Sequence, residues 1–509
     1  MTSEERIMCA PPAGLALAAV PSLRLPGAAI IAGEARGAAG GASFANFSPR
    51  DGALLGEVAA CGEADIDAAV TAARLAFEDG RWRDLAPAER KARMLALADR
   101  MERDRETLAL LETLDTGKPI HESRTVDVPL AIQTLRYYAE AIDKVYGEVG
   151  PSAPSRLSFT LHEPLGVIAA IVPWNFPLHM AMWKVAPALA VGNSVVLKPA
   201  EQSPMTAIRL GELALDAGIP AGVLNVTPGL GTVAGKALAM HMDVDMVAFT
   251  GSGAVGRLLM SYAGQSNLKR VSLELGGKSP QIVFADCPDL EAAANAAAWG
   301  IFYNQGQVCT AASRLLVERS IHRDFVARVV EIARAIVPGD PLDPATRLGA
   351  MVSEAQMNAV LRGIERAAQE SGAPILPGGR ARVESGGYYL QPTIFDAIDP
   401  ACSLAREEVF GPVLGIIPFD GEEQACAIAN DTIYGLAAGV WTASLDRALR
   451  VARRLRAGLV WVNGWDACDI TMPFGGFKQS GFGRDRSLMA MEKYADVKSV
   501  TISIGAGHG

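Results

Sequence analysis

The stretch Met246-Val247-Ala248-Phe249-Thr250, running straight into Gly251-Ser252-Gly253-Ala254-Val255-Gly256, decides the fold class. A short apolar strand ends in a glycine turn, and the turn opens a helix. Upstream the same alternation repeats. Gly166 to Val172 reads as an apolar strand, Met180 to Ala190 as a helix, and Ser194 to Leu197 as a strand closed by Lys198-Pro199. Thr206 to Ala217 is a helix, Val223 to Val226 a strand, and Val233 to His241 a helix. Short apolar strands alternating with helices predict a mostly parallel sheet. The rhythm restarts after Pro280, with Gln281 to Phe284 as a strand and Leu290 to Tyr303 as a helix. A second α/β domain follows from that restart.

Further out the signals are simpler. Residues 1–42 are rich in Ala, Gly and Pro and read as a loose extension with some ordered part. From Asp65, a plausible cap, Ile66, Ala69, Val70, Ala73 and Phe77 recur at helix spacing. Residues 87–116 and 126–146 continue as amphipathic helices with solvated charged faces. Pro151 and Pro154 mark a break before an alternating strand, Leu157 to Leu161. Residues 371–389, rich in Gly and Pro, read as loops.

The totals bound the function. A chain of 509 residues suggests about two to four domains. Half of the residues are apolar, enough for a large core. A net charge of −9 disfavours nucleic acid and anionic membrane as partners. The seven cysteines are odd in number and show no CxxC pair. With only six histidines, no Cys/His cluster has metal-ligand spacing. A reducing, cytoplasmic compartment is the expectation. Gly14 to Val20 is a weak apolar run, but Glu4 and Glu5 precede it and Pro11-Pro12 interrupts it, which speaks against a secretory leader. No apolar run reaches the roughly 18 residues that span a bilayer.

The chemistry is carried by Phe302-Tyr303-Asn304-Gln305-Gly306-Gln307-Val308-Cys309-Thr310. One cysteine sits in a polar, glycine-bearing run between two apolar segments. Such a loop exposes a thiol, and the thiolate is the reactive form. A lone cysteine is more commonly an inert small hydrophobe. Its company changes the reading. Glu274-Leu275-Gly276-Gly277-Lys278-Ser279-Pro280 lies 35 residues upstream, and Pro173-Trp174-Asn175-Phe176-Pro177 lies further back. A thiol, a carboxylate and a side-chain amide are the parts of covalent acyl chemistry.

Gly251 to Gly256 matches GxGxxG and opens a helix, whose free N–H groups suit a pyrophosphate. A tight glycine turn without any cofactor is the plainer alternative. Glu274, eighteen residues after Gly256, is either the ribose ligand of a dinucleotide fingerprint or the base that the cysteine needs. Its place beside Gly276-Gly277 favours the base. Lys198-Pro199-Ala200-Glu201 ends a strand, where ligands of open α/β sheets sit. Lys198 and Glu201 there either bond ribose hydroxyls or form a surface ion pair. Glu408-Val409-Phe410-Gly411-Pro412 sets a carboxylate two residues from a ring that alone would be read as core.

These motifs, with Phe249-Thr250-Gly251-Ser252 and Pro473-Phe474-Gly475-Gly476-Phe477-Lys478-Gln479-Ser480-Gly481, resemble the ordered motif set of the aldehyde dehydrogenase superfamily. The resemblance runs from about residue 25 to 504. It implies a variant Rossmann cofactor domain, a second α/β catalytic domain and a small β oligomerisation arm. The implied division is an N-terminal extension over 1–24, an NAD-binding domain over 25–141 and 163–276, a catalytic domain over 277–478, and an arm over 142–162 and 479–504.

It also implies roles. Cys309 is the nucleophile, Asn175 and the Cys309 N–H the oxyanion hole, and Glu274 the base. Lys198 and Glu201 bind the adenosine ribose, Gly251 and Ser252 the pyrophosphate, and Glu408 the nicotinamide ribose. Trp174 and Phe410 pack near the nicotinamide. NAD is the expected cofactor, with NADP possible, and a homodimer or homotetramer the expected assembly. Many relatives carry a proton-relay Glu where this chain has Leu488, and often a bulky residue at 468, here Cys468.

The segment Trp461 to Asp469, with Met180, Trp183 and Phe474, falls where the family lines its substrate tunnel. This part most resembles the branch that oxidises γ-glutamyl-γ-aminobutyraldehyde and other ω-amino or guanidino aldehydes of polyamine breakdown. Asp466 and the Trp465 ring face would meet a cationic tail at the tunnel mouth. In the plainer alternative, Asp466 and Asp469 cap a solvent loop. Betaine, aliphatic or aromatic aldehydes, CoA-acylating chemistry and a crystallin-like structural protein are the competing expectations. Retention of Glu274 argues against CoA acylation, and intact Cys309, Glu274 and Asn175 against a non-catalytic protein.

Overall fold

Two all-buried runs, Val167–Ile171 and Ser194–Lys198, show how the core is laid down. Neither alternates apolar with polar, because a parallel strand covered on both faces has no wet side. In this computed structural model, which describes residues 23–467 and 469–504, they lie in the middle of an eight-stranded sheet. The order is Glu34–Arg36, Ala29–Ile31, Leu224–Val226, Ser194–Lys198, Val167–Ile171, Met246–Gly251, Arg270–Leu275 and Gly481–Phe482. The inner five are parallel. The order reverses between Val167–Ile171 and Met246–Gly251. Ligands of open α/β sheets bind at the carboxyl ends beside such a switch point. Those ends lead into Trp174-Asn175 on one side and Gly251-Ser252 on the other.

The helix Pro177–Val191 is buried along almost its whole length. It is apolar all round, as a helix enclosed by protein must be. It packs on Val128–Ala141 and carries Met180 and Trp183 one turn apart.

A second, six-stranded sheet is parallel throughout. Its order is Thr393–Phe395, Val413–Phe419, Arg314–Glu318, Pro280–Val283, Ala437–Trp441 and Leu459–Val462. The helix Leu290–Phe302 leads into the Cys309 loop, and the strand Arg314–Glu318 leaves it. A three-stranded sheet stands apart, with Ala495–Ser503 antiparallel to Arg156–Pro164 in unbroken register and Val149–Gly150 on its other edge.

Two expectations are corrected and one is sharpened. Residues 23–42 are not wholly loose: Ala29–Ile31 is fully buried and pairs with Glu34–Arg36 and with Val226. Three apolar residues are too few for a periodic signal, and their partner lies far along the chain. Asp65 is not the cap of its helix; Gly62 is. Asp65 sits inside the first turn and accepts from Gly62 N–H at 3.0 Å and Ala39 N–H at 2.8 Å. The 371–389 loop contains a short pairing, Gly379–Ala381 with Tyr389–Gln391. Residues 1–22 of the N-terminal extension lie outside the described residues.

Candidate active site

Three consecutive left-handed residues, Asn304 at φ 45°, Gln305 at 57° and Gly306 at 72°, turn the chain just before Cys309. Strained backbone of this kind persists only where its surroundings over-determine it. Here they do. A Cβ on Gly306 would lie 2.2 Å from the Gly411 carbonyl oxygen, and one on Gly277 would lie 2.5 Å from the Cys309 carbonyl oxygen. Two motif loops, Glu408 to Pro412 and Glu274 to Gly277, are thereby pressed against the cysteine loop. The Asn175 amide Nδ2 donates to the Gln307 carbonyl at 2.9 Å, and the Asn175 carbonyl accepts from Asn304 Nδ2 at 3.1 Å. Nδ2 carries a second N–H that this contact leaves for other use.

The half-buried Cys309 thiol is surrounded by carboxylates. Loss of hydration, then the charges of Glu274, Glu408 and Asp466, hold it well above its ordinary pKa. Glu274 is buried, and its Oε1 has no hydrogen-bond partner among the described residues. Burial, with the nearby charge of Asp485, pushes the Glu274 carboxyl up to about 8. The resting pocket thus holds a protonated thiol beside a carboxyl that titrates near neutrality, the property wanted of a general base.

Asp485 is a residue that sequence reasoning missed. It is buried between two ammonium groups, Lys184 Nζ and Lys493 Nζ. Those lysines outweigh its burial and hold it below the usual carboxylate range. Its charge acts on Glu274, whose strand is joined at the sheet edge by Gly481–Phe482, with Gly481 opposite Glu274. Leu488 lies at the surface; the carboxylate whose charge acts on Glu274 stands three residues earlier. Lys184 and Asp485 are 301 positions apart, so no local pattern announces the pair.

On the far side of the switch point, Ser252 caps the helix Gly253–Gln265, its Oγ accepting from Val255 N–H at 3.3 Å. Gly256 is required for packing, since a Cβ there would lie 3.0 Å from the Leu275 side chain. Gly253 is not: a Cβ would meet only Arg257 at 3.8 Å. Lys198 is buried and reaches Glu201 at 3.3 Å. Glu408 Oε1 accepts from Gly277 N–H at 2.9 Å, filling the space that a Cβ on Gly276 would take. Burial lifts its carboxyl to about 7. Trp174 and Phe410 meet edge to face at 5.3 Å, Phe410 being held at φ 57°. Buried Thr250 Oγ1 has no partner among the described residues. Hydroxyl and ammonium donors, an open helix N-terminus and a carboxylate against glycines fit a dinucleotide.

The chain matches the aldehyde dehydrogenase family model over residues 37–500. It belongs to the aldehyde dehydrogenase family. It is 52% identical to an NADP/NAD-dependent aldehyde dehydrogenase of Escherichia coli, covering 95% of this chain and 97% of that one. An indole-3-acetaldehyde dehydrogenase solved with NAD+ superposes with a TM-score of 0.95 at 56% identity, over 96% of this chain and 99% of that chain. A γ-glutamyl-γ-aminobutyraldehyde dehydrogenase from Burkholderia cenocepacia superposes equally well, with a TM-score of 0.95, 55% identity and the same coverage of both chains. This aldehyde dehydrogenase is an α/β enzyme that oxidises an aldehyde with a nicotinamide cofactor.

The expected substrate-side residues separate in this aldehyde dehydrogenase. Trp183 and Phe474 meet at 4.7 Å, and the Trp183 Nε1 donates to His179 at 2.8 Å. Met180 is buried on the same helix. Asp466 is exposed, at φ 54°, and near enough to act on Cys309. The Trp465 ring, expected at the tunnel mouth, is instead buried against Trp461 at 4.9 Å and over Gly439 and Gly300. The glycines leave a slot that an indole fills, so burial outweighs any contact with a passing cation. Asp469 caps a turn, accepting from Thr471 N–H and Oγ1 at 2.8 Å each. Cys468 lies outside the described residues. Among the described residues no helix is long and apolar enough to cross a membrane.

Proposed function

We propose that this aldehyde dehydrogenase oxidises ω-amino, guanidino or γ-glutamylamino aldehydes of polyamine breakdown, through a covalent intermediate on Cys309. The observation that carries the chemistry is the Cys309 loop, packed against the Glu274 turn and tied to Asn175 through the Gln307 carbonyl. The Cys309 thiol gives its proton to water, its thiolate adds to the aldehyde carbon, and the resulting oxyanion is met by the spare Asn175 N–H and the Cys309 backbone N–H. The bound nicotinamide cofactor supplies the hydride acceptor. A thioester on Cys309 remains, and Glu274 takes a proton from the water that hydrolyses it.

Lys198 and Glu201 are assigned to the adenosine ribose, Gly251 and Ser252 to the pyrophosphate, and Glu408 to the nicotinamide ribose. Trp174 and Phe410 wall the nicotinamide. Glu201 favours NAD, because a 2′-phosphate would meet its carboxylate. Met180, Trp183, Phe474, Asp466 and Cys468 are assigned to the substrate. The proposed division keeps the cofactor domain at 25–141 and 163–276, the catalytic domain at 277–478, and the arm at 142–162 and 479–504. A cytoplasmic homo-oligomer is part of the same reading, supported by the free cysteines and by the apolar arm strands.

Asp466 supports the cationic tail, since it is exposed and electrostatically close to Cys309. An exposed pair contributes about 0–1 kcal/mol, so discrimination is roughly fivefold at most. The test is NADH formation by wild type and Asp466→Asn with 4-aminobutyraldehyde and butanal, with and without CoA, and with NAD and NADP. D466N should raise KM for the amino aldehyde several-fold and leave butanal nearly unchanged. Equal responses would remove the amino-aldehyde assignment. CoA-dependent turnover would replace hydrolysis, and equal efficiency with NADP would remove the Glu201 role.

A further inference from the structure

Arg486 is 6% exposed, yet its buried Nε has no hydrogen-bond partner among the described residues. Buried cations are ordinarily paired, because desolvation without a partner is expensive. The neighbouring acids are already engaged. Asp485 is held by Lys184 and Lys493. Asp469 is tied first to Thr471, and Arg486 adds only a weaker influence that lowers its carboxyl further. What Arg486 does have is two ring faces. Its guanidinium carbon lies 5.2 Å from the Trp183 ring centre and 5.9 Å from that of Phe474. These are the aromatic residues assigned above to the substrate.

The backbone holds the arginine there deliberately. Phe474 and Asp485 exchange two hydrogen bonds of 2.7 Å each, which fixes Arg486 beside the Phe474 ring. Arg486 and Ser487 are both left-handed, at φ 59° and 51°. Tyr138 Oη, from the helix that packs on the Trp183 helix, donates to the Ser487 carbonyl at 3.1 Å and locks the turn. A strained, locked backbone presenting a guanidinium to two aromatic walls describes a preorganised anion reader. The Nε is buried without a partner.

We propose that Arg486 binds a carboxylate at the far end of the substrate, so that the preferred aldehydes of this enzyme carry a carboxylate distal to the reacting carbon, alone or beside an ammonium. The proposal rests on the reading of Trp183 and Phe474 as the substrate wall. It adds to that reading the substrate's second recognised group. A planar fork meets a carboxylate through two parallel N–H donors, and the rings exclude water from the pair.

The test compares kcat/KM for adipate semialdehyde with that for hexanal, and for succinate semialdehyde with that for butanal, in wild type, Arg486→Gln and Arg486→Lys. Wild type should prefer the carboxylated member of at least one pair. R486Q should lower that carboxylate-to-neutral ratio about tenfold, and R486K, which keeps the charge and loses the fork, should fall between the two. A ratio that moves less than twofold in R486Q assigns Arg486 to packing against Trp183 and overturns the proposal. Should R486Q fail to fold, the wild-type enzyme decides alone. Adipate should inhibit hexanal oxidation at least tenfold better than hexanoate, and equal inhibition overturns the proposal. Neither comparison contains an amino group. Failure of the amino-aldehyde reading, scored on 4-aminobutyraldehyde against butanal, is therefore a separate result.

Discussion

At the scale of single residues, the site sets two carboxyls raised by burial, Glu274 and Glu408, near one thiol. Glu274 has the clearest consequence. Its folded pKa of about 8 lies above the ordinary 4.5. The folded state therefore keeps a proton that the unfolded chain loses, and this stabilisation is complete below pH 4.5 and is lost as pH rises to about 8. Glu274→Gln should erase that slope. The Tm of E274Q relative to wild type should climb from pH 5 to 8 and then level off; a difference independent of pH would refute the buried, protonatable carboxyl. The same variant separates the two halves of the reaction. A general base contributes about 10²–10⁴-fold, so E274Q should keep a pre-steady-state burst of NADH while steady turnover falls by that order. Loss of the burst would move Glu274 into the first step. Cys309→Ala should lose both burst and turnover while still binding NAD, and retained turnover would displace Cys309 as nucleophile.

At the scale of elements, the loop from Asn304 to Cys309 is held by contacts that its own sequence does not describe. Gly306 needs its positive φ and has no room for a methyl group. Gly306→Ala should push the loop away from Gly411 and cut kcat by tenfold or more, since small misplacements of reacting groups are costly. The accompanying check is the rate of Cys309 alkylation by iodoacetamide, which should change in parallel. Wild-type kcat in G306A would show that the loop tolerates the shift. Asp485 teaches the reverse lesson. Its position after a glycine turn is legible, but its influence on Glu274 goes with Gly481–Phe482 adding to the sheet edge.

At the scale of the whole molecule, the paired strands Arg156–Pro164 and Ala495–Ser503 stand off both large sheets with Leu157, Leu161, Val497 and Ile502 exposed. Apolar strands with a free edge seek a partner. If the proposed homo-oligomer forms through this arm, Val497→Glu together with Ile502→Glu should lower the mass seen by analytical ultracentrifugation while leaving the circular dichroism unchanged; an unaltered mass would remove the arm from the proposed assembly. The sequence by itself determined the two α/β sheets, because short apolar strands alternating with helices leave few other ways to bury both faces. It also singled out Cys309, Glu274 and Asn175 as the set now proposed to carry the chemistry, because each sits in a glycine- or proline-marked turn whose residue types suit covalent acyl chemistry. Only the tertiary structure decided that Ala29–Ile31 is core, that Trp465 packs over Gly439 and Gly300, that the charge of Asp485 acts on Glu274, and that Arg486 stacks on Trp183 with its Nε unpartnered. Each of these depends on segments far apart in the chain meeting at a sheet edge or beneath a helix, and periodicity records a residue's own element and not the partner that element will find.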